Sequence, residues 1–171
     1  MRYVKVLAWG LLLMGISAGW SLGAEVGGNL LKNGGFEKYK EGQAMPEGWV
    51  INTGYPVRVK VMVDKELAHG GKVFLMMQQS KGSSGAIYTA GPAVKKGEVY
   101  EYSLWAKGRG KIALFLYEYS PGKFLGSSSG GFQKLIPQWK KYTFVYVVAK
   151  SVNAASVSRV AAAIHLFGVA Y

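Results

Sequence analysis

A strict two-residue alternation runs through residues 55–63 of the chain. From residue 57 onwards, every second residue is a valine, at Val57, Val59, Val61 and Val63. Arg58 and Lys60 lie between these valines. Because successive side chains of a β-strand point to opposite faces, this pattern is typical of a strand with one buried and one exposed face. Such a strand must pair with others, since isolated strands and hairpins are marginal in water.

Similar short runs, rich in β-branched and aromatic residues, recur at residues 73–78, 86–90, 99–106, 112–119, 139–149 and 159–167. Glycine-rich turns separate them, and the low-complexity residues 126–131 are predicted to form a loop. Alanines in the last run would suit a helix, but the β-branched residues around them favour a strand. The sequence therefore predicts an all-β fold, an antiparallel β-sandwich of about eight strands.

The first 24 residues differ in character from the rest. Arg2 and Lys5 precede an apolar run over residues 6–16, and small residues follow up to Ala24. This order is typical of a secretory signal peptide, and the run is shorter than the roughly 20 residues of a membrane-spanning helix. We predict a signal peptide at residues 1–24 and one domain at residues 25–171. The protein would then be secreted, periplasmic or at the cell surface, with no membrane span after cleavage; an uncleaved anchor is the alternative.

The composition and charge of the chain limit the kinds of partner that it can bind. The chain has 21 Lys and Arg residues, 9 Asp and Glu residues and no cysteine. An exported domain without disulfides depends on packing or on a bound metal. Its positive charge attracts acidic polymers, but the basic residues are scattered, with short doublets at residues 95–96 and 140–141. Together with export, this distribution argues against nucleic acid as the partner.

The chain lacks the residue constellations of common enzymes. It has no cysteine nucleophile and no G-x-S-x-G motif. His69 and His165 lie far apart, without the spacing of metal ligands. Glu101 and Glu118 could face each other across a cleft as a glycosidase pair, but their spacing does not follow from the sequence. We therefore predict that the protein is not an enzyme.

Aromatic side chains are the better candidates for binding, because the apolar faces of sugar rings pack on aromatic rings. The candidates are Tyr55, Trp105, Tyr117, Tyr119, Phe124 and Trp139. Tyr117 and Tyr119 share one face of their strand, whereas Glu118 lies on the other. Either the tyrosines or Glu118 can line a cleft on that strand, so Glu118 is kept as a candidate. Phe36 and Trp49 are predicted to belong to the core.

Several motifs occur in a suggestive order. Residues 29–37, N-L-L-K-N-G-G-F-E, are predicted to form a short strand and a tight turn, and P-E-G-W follows at residues 46–49. Later come H-G-G-K at 69–72, G-E-V-Y at 97–100, S-L-W-A-K-G at 103–108 and W-K-K-Y at 139–142. The series resembles the jelly-roll carbohydrate-binding modules attached to xylanases and glucanases. The resemblance implies a β-jelly-roll that binds polysaccharide without cutting it and that works beside a catalytic domain.

The same resemblance implies a structural calcium ion beside the opening motif. Glu37 would be a carboxylate ligand, while Asp64 and the carbonyl groups around Gly71 and Lys72 would add the oxygens that calcium prefers. A capped turn without metal is the alternative. Members of this family continue into a final strand with paired aspartates, whereas this sequence ends at Tyr171. We therefore expect a sheet without that edge strand and a calcium site one ligand short.

Two binding functions remain open beside a small glycan-active enzyme, which would require paired carboxylates in a groove. The first is a secreted, non-catalytic polysaccharide-binding module, with a separate catalytic or envelope protein as a second partner. The alternative is a cell-envelope or protein-interaction β-sandwich without sugar specificity. A groove lined by exposed aromatic side chains would favour the first, and a filled apolar face would favour the second.

Overall fold

Eleven β-strands make up most of the described chain, which in this computed structural model comprises residues 3–6, 28–79, 84–148 and 156–171. The strands are β1 (Tyr3–Val6), β2 (Trp49–Ile51), β3 (Val57–Val63), β4 (Val73–Gln79), β5 (Gly85–Ala93), β6 (Val99–Ala106), β7 (Gly108–Ser120), β8 (Lys123–Ser129), β9 (Gln133–Lys134), β10 (Lys140–Val147) and β11 (Arg159–Ala170). Within these ranges, no helix is long and apolar enough to cross a membrane. The all-β prediction is confirmed.

The strand count exceeds the predicted eight because three strands are very short. β1, β2 and β9 have only four, three and two residues, too few for a visible alternation. The predicted loop at residues 126–131 is also partly wrong, because β8 pairs with Phe115–Ser120 of β7. The opening motif forms turns instead of the predicted strand. Of the predicted signal peptide, residues 1–24, only the backbone of β1 is described, and the cleavage region at Ala24 lies outside the described residues.

The strands form two sheets, and β11 is central in the larger one. β7 pairs with β11 along its whole length, from Arg159 opposite Tyr119 to Ala170 opposite Gly108. On the other edge, β11 pairs with β5 and, at its end, with β4. β2 and β3 extend this sheet beyond β5 and β4, while β8 and β9 pair with β7. The smaller sheet consists of β6, with β10 antiparallel and β1 parallel to it.

The core fills the space between the two sheets. Ile87, Leu114 and Leu166 of the larger sheet are at most 2% exposed, and so are Tyr142 and Tyr146 of the smaller sheet. In β3, the predicted alternation holds for the first three valines, whereas Val63 at the strand end is 51% exposed. Burial of this apolar surface is the main favourable contribution to folding.

The turns of residues 28–48 are tied together by one asparagine and one tryptophan. The side chain of Asn33 donates to the carbonyl oxygens of Lys38 and Glu47, at 2.8 and 2.9 Å. The indole nitrogen of Trp49 donates to the carbonyl oxygen of Asn33 at 3.1 Å. Trp49 is 4% exposed and packs edge-on against Phe36. The predicted core positions of Phe36 and Trp49 are confirmed.

β7 and β11 approach each other too closely for side chains at two glycines. A Cβ atom at Gly110 would lie 1.8 Å from the carbonyl oxygen of Phe167, and one at Gly168 would lie 2.2 Å from that of Arg109. Both glycines also have positive φ angles, 108° and 123°. Glycine is required here by the backbone conformation and by the close approach of the neighbouring strand.

We expect Gly110→Ala to lower the free energy of unfolding by at least about 3 kcal/mol, because backbone strain and a clash with a neighbouring strand add up. Gly122→Ala is the matched control, since Gly122 has a φ of 71° but no atom within 4 Å of its added Cβ. That control should lose only about 1 kcal/mol through the left-handed conformation. Urea unfolding of both variants measures the difference, and equal losses would contradict the close contact.

Candidate functional site

An aromatic cleft of about 580 Å³ lies on the outer face of the larger sheet. It is lined by Ile51, Asn52, Thr53, Tyr55, Ser84, Tyr88, Phe115, Tyr117, Tyr119, Phe124, Ser127, Phe132 and His165. These residues belong to β2, β5, β7, β8 and β11, to the segment that follows β2, and to the positions just before β5 and β9. We call this feature the aromatic cleft.

The floor of the aromatic cleft is low because β11 carries small residues there. Ala161 lies opposite Tyr117 of β7. Ala163 lies opposite Phe115 of β7 on one side and Tyr88 of β5 on the other. Ala161 and Ala163 pack beneath these taller rings, where Ala163 is fully buried. Alternating positions of β11 point into the core, so this strand separates the cleft from the core.

A hydrogen-bonded network holds the deepest part of the aromatic cleft. The hydroxyl group of Tyr117 lies 2.6 Å from Nε2 of His165, and it accepts a hydrogen bond of 2.9 Å from Nδ2 of Asn52. Because the amide of Asn52 donates, the hydroxyl group is free to donate its own proton to Nε2. The pKa of His165 is lowered to about 4 by burial, which keeps the ring neutral and able to accept at pH 7. Burial also raises the pKa of Tyr117.

The rim of the aromatic cleft is formed by exposed rings. Tyr55, Phe124 and Phe132 are 43%, 56% and 44% exposed, whereas Tyr117 below them is 8% exposed. The ring of Phe124 contacts Tyr117 and Tyr119 edge-on, with centroid distances of 6.1 and 5.6 Å. Edge-on contacts hold these rings in defined orientations. The cleft therefore presents fixed apolar surfaces to a ligand.

The described lining of the aromatic cleft is electrically neutral. Its polar groups are the side chains of Asn52, Thr53, Ser84 and Ser127, the hydroxyl groups of the other lining tyrosines, and the neutral network of Tyr117. The guanidinium group of Arg159 lies 5.3 Å from the ring centre of Tyr119. Such a surface can stack on flat apolar faces and exchange hydrogen bonds with hydroxyl groups.

Four of the seven predicted binding residues meet in the aromatic cleft, namely Tyr55, Tyr117, Tyr119 and Phe124. Trp105 and Trp139 lie elsewhere, because β6 and the segment before β10 belong to the smaller sheet. There the ring of His69 stacks on Trp105 at 3.9 Å.

Glu118 faces the core, where it is 1% exposed and accepts a hydrogen bond of 2.5 Å from Oγ of Ser128. The alternation of β7 explains this position, since the tyrosines on either side take the cleft face. Glu101 forms an ion pair of 3.0 Å with Lys141 on the smaller sheet. Glu101 and Glu118 are therefore not a pair of carboxylates across the cleft.

The sequence model of the carbohydrate binding domain family matches residues 28–161 of the chain. The chain belongs to this family. The matched region contains every described lining residue of the aromatic cleft except His165. No curated protein is significantly similar to the chain in sequence. The predicted resemblance to carbohydrate-binding modules is confirmed.

Three solved structures share the fold of this domain. TmCBM61 in complex with β-1,4-galactotriose is 18% identical, with a TM-score of 0.50 over 83% of this chain and 91% of TmCBM61. A cyclase from Fischerella sp. TAU in complex with 4-(1H-indol-3-yl)butan-2-one is 13% identical, with a TM-score of 0.54 over 82% of this chain and 90% of the cyclase. The enzymatically active domain of tailspike protein 4 of bacteriophage CBA120 is 11% identical, with a TM-score of 0.56. That match covers 72% of this chain but only 18% of the tailspike chain. Identities this low establish the fold alone.

Sequence reasoning missed several residues of the aromatic cleft. Tyr88, Phe115, Phe132 and Asn52 were not among the candidates, and His165 was considered only as a catalytic group. The sequence of β11 does contain one indication of the cleft, because its alternation places Ala161, Ala163 and His165 on the same face. That pattern indicates a shallow outer surface, but it does not reveal which rings of neighbouring strands stand beside it.

Three of the four predicted calcium ligands, namely Glu37, Asp64 and the carbonyl group of Lys72, accept hydrogen bonds within the protein. Oε1 of Glu37 accepts hydrogen bonds from the backbone amides of Lys72 and Val73, at 2.9 and 3.1 Å. Oδ1 of Asp64 accepts from the amides of Glu66 and Leu67 in its own turn. No group of three or more His, Cys, Asp or Glu side chains lies together among the described residues.

Two backbone N–H donors, those of Lys72 and Val73, face Oε1 of Glu37. Gly71 allows the contact, since a Cβ atom at this position would lie 2.0 Å from Oε1 of Glu37. Glu37 therefore ties the opening motif to the start of β4. Calcium at this position stays a prediction.

We expect Glu37→Ala to lower the free energy of unfolding by about 1 kcal/mol in EDTA, because two charge-assisted hydrogen bonds are lost from an exposed site. Glu66→Ala, an exposed glutamate in a neighbouring turn, is the control and should have little effect. Thermal unfolding in EDTA and in calcium chloride measures both variants. An unchanged stability of Glu37→Ala in EDTA would contradict the role of these bonds, while a larger loss in calcium would support the calcium prediction.

The burial of neutral His165 predicts a stability that depends on pH. An unfolded histidine has a pKa of about 6.5, whereas the folded value for His165 is about 4. Between these values only the unfolded chain binds the proton, so stability is full above pH 6.5 and falls as the pH drops towards 4. This shift corresponds to a loss of up to about 3 kcal/mol.

Urea unfolding between pH 7 and pH 4 measures this loss, with His165→Gln as the variant that lacks the titrating group. We expect a flatter pH profile for His165→Gln than for the unmodified protein. His69→Gln is the control, since the pKa of His69 is also lowered by burial but less strongly. Parallel profiles for the unmodified protein and His165→Gln would contradict the neutral, buried state of His165.

Proposed function

We propose that this protein is a secreted, non-catalytic module that binds polysaccharide in the aromatic cleft. The observation that carries the proposal is a cleft with aromatic walls, a low floor and neutral polar groups, on a domain of the carbohydrate-binding family. Its volume of about 580 Å³ lies within the range of about 300–1,000 Å³ that is usual for ligand sites. TmCBM61, which shares the fold, binds β-1,4-galactotriose.

The chemistry of a sugar chain suits both kinds of group in the aromatic cleft. The C–H faces of pyranose rings can pack on Tyr88, Tyr119 and Phe124, which stand along the cleft. Sugar hydroxyl groups both donate and accept hydrogen bonds, as do the side chains of Asn52 and Ser127. Water molecules that cover the aromatic rings of the unoccupied cleft are released when a sugar ring packs on them, and this release favours binding.

The distribution of carboxylates supports a non-catalytic role. Glycoside hydrolysis usually needs two carboxyl groups on either side of the bond that is cut. The described lining of the aromatic cleft contains none, since Glu118 is in the core and Glu101 is paired with Lys141. The fold itself also occurs in enzymes, so the argument depends on the site and not on the fold.

Secretion of the protein would depend on residues 1–24. Their charged start, short apolar run and small residues support a cleaved signal peptide. A secreted module would meet polysaccharides outside the cell or at the cell surface. Without Arg2 and Lys5 of the predicted signal peptide, 19 basic and 9 acidic residues leave a net charge of +10. This charge favours approach to acidic polymers, although no described charge lines the cleft itself.

We expect Tyr119→Ala to weaken polysaccharide binding about tenfold, because one stacking surface of roughly 1.4 kcal/mol is lost. Trp105→Ala is the control, since Trp105 lies outside the aromatic cleft and should leave binding unchanged. Titration calorimetry and affinity electrophoresis against xylan, mixed-linkage β-glucan, mannan, galactan and pectin measure the effect. An equal loss in both variants would contradict the assignment of the cleft. A folded protein that binds none of these polymers would instead support the interaction-module alternative.

A further inference from the structure

We propose a second binding site, for a small aromatic molecule, in a cavity between the two sheets. The cavity has a volume of about 250 Å³ and is separated from the aromatic cleft by the larger sheet. Its walls include Leu75, Ile87 and Ile112 of the larger sheet and Tyr102 and Ala106 of β6. We call it the inter-sheet cavity. Its use would be additional to polysaccharide binding.

The walls of the inter-sheet cavity are mainly apolar, with Asn29, Glu37, His69 and Ser103 as polar members, and its size and apolar part suit an apolar ring. Leu75, Ile87 and Ile112 are at most 5% exposed, whereas the mouth of the cavity is open to solvent. An apolar cavity of about 150 Å³ stays free of water and binds benzene. The inter-sheet cavity is larger, at about 250 Å³, and can hold a molecule of one or two fused rings. Close packing is the rule in protein interiors, so an unfilled volume of this size is unusual.

One wall residue indicates that the ligand also carries a polar group. Tyr102 is 2% exposed, and its hydroxyl group has no hydrogen-bond partner among the described residues. Buried hydroxyl groups are normally paired. A hydroxyl or carbonyl group on an aromatic ligand would supply the missing partner. Tyr102 also borders a void of about 10 Å³, which makes a single water molecule the competing partner.

The mouth of the inter-sheet cavity is aromatic and has an open side. The ring of His69 stacks on Trp105 with an interplanar angle of 16°, and Trp139 meets His69 edge-on at 5.7 Å. All three line the cavity and are partly exposed, unlike its interior. Gly70 and Gly71 form part of the same rim and add no side chains there. A flat ring can pass between such side chains. Trp105 and Trp139, which do not line the aromatic cleft, would then form the entrance of the inter-sheet cavity.

The test uses p-cresol as the probe, with titration calorimetry and thermal unfolding of the purified protein. We expect saturable binding that raises the melting temperature. Ala106→Phe attaches a phenyl ring to the cavity wall, and we expect it to weaken p-cresol binding at least tenfold. Near-UV circular dichroism checks that this variant is folded. Tyr119→Ala, in the aromatic cleft, is the matched control and should bind p-cresol as the unmodified protein does.

The hydroxyl group of Tyr102 is tested by a matched pair of probes. We expect Tyr102→Phe to weaken binding of p-cresol roughly two- to tenfold, the effect of one hydrogen bond. Toluene, which has no hydroxyl group, should bind this variant unchanged. Equal affinities of p-cresol for both proteins would overturn the predicted hydrogen bond and indicate a water molecule at Tyr102.

The proposed site is contradicted if p-cresol does not bind to the protein. It is also contradicted if Tyr119→Ala weakens p-cresol binding as much as Ala106→Phe does. A crystal structure of the unmodified protein with p-cresol decides the matter should Ala106→Phe fail to fold. Density for the ring between the two sheets would support the inter-sheet cavity. Density confined to the aromatic cleft or to the surface would overturn it.

Discussion

The pairing of β11 along both of its edges is the constraint on which the core and the aromatic cleft depend. Alternating residues of this strand, such as Ala162 and Ile164, enter the core, while Ala163 and His165 lie on the opposite face, with His165 in the lining of the cleft. A register shift of one residue would exchange the two sets. The close approach of Gly110 to this strand helps to fix the register. A single strand thus supplies both the packing that stabilises the fold and the floor of the site.

Aromatic residues serve different purposes in this protein, and their surroundings distinguish them. Tyr142 is buried between the sheets, where its ring adds apolar area to the core. Tyr117 is nearly as buried, but its hydroxyl group is held by Asn52 and His165 at the bottom of a cleft. The chain as a whole is strongly positive, but no charged side chain is among the described residues that line the aromatic cleft. In the function we propose, charge would attract a partner at long range, while rings and neutral polar groups would make the contacts.

Local patterns predicted much of the fold, because alternation and glycine turns act over short distances. They failed for β8, whose glycine and serine content suits a loop and whose strand conformation depends on pairing with β7. In the site, alternation placed Tyr117 and Tyr119 on one face of β7 and Glu118 on the other. Which face is buried depends on where the second sheet packs, and this does not follow from local sequence. For the same reason Trp105 could not be assigned to the smaller sheet, and Tyr88 could not be placed beside β11.

Binding of polysaccharide in the aromatic cleft can be observed residue by residue in a nuclear magnetic resonance titration of labelled protein with an oligosaccharide from the polymer that binds best. We expect the largest shifts of backbone amide signals at Tyr88, Tyr119 and Ala163, on three neighbouring strands of the larger sheet. Shifts confined to Trp105 and Trp139, with the cleft residues unchanged at saturation, would contradict binding in the cleft.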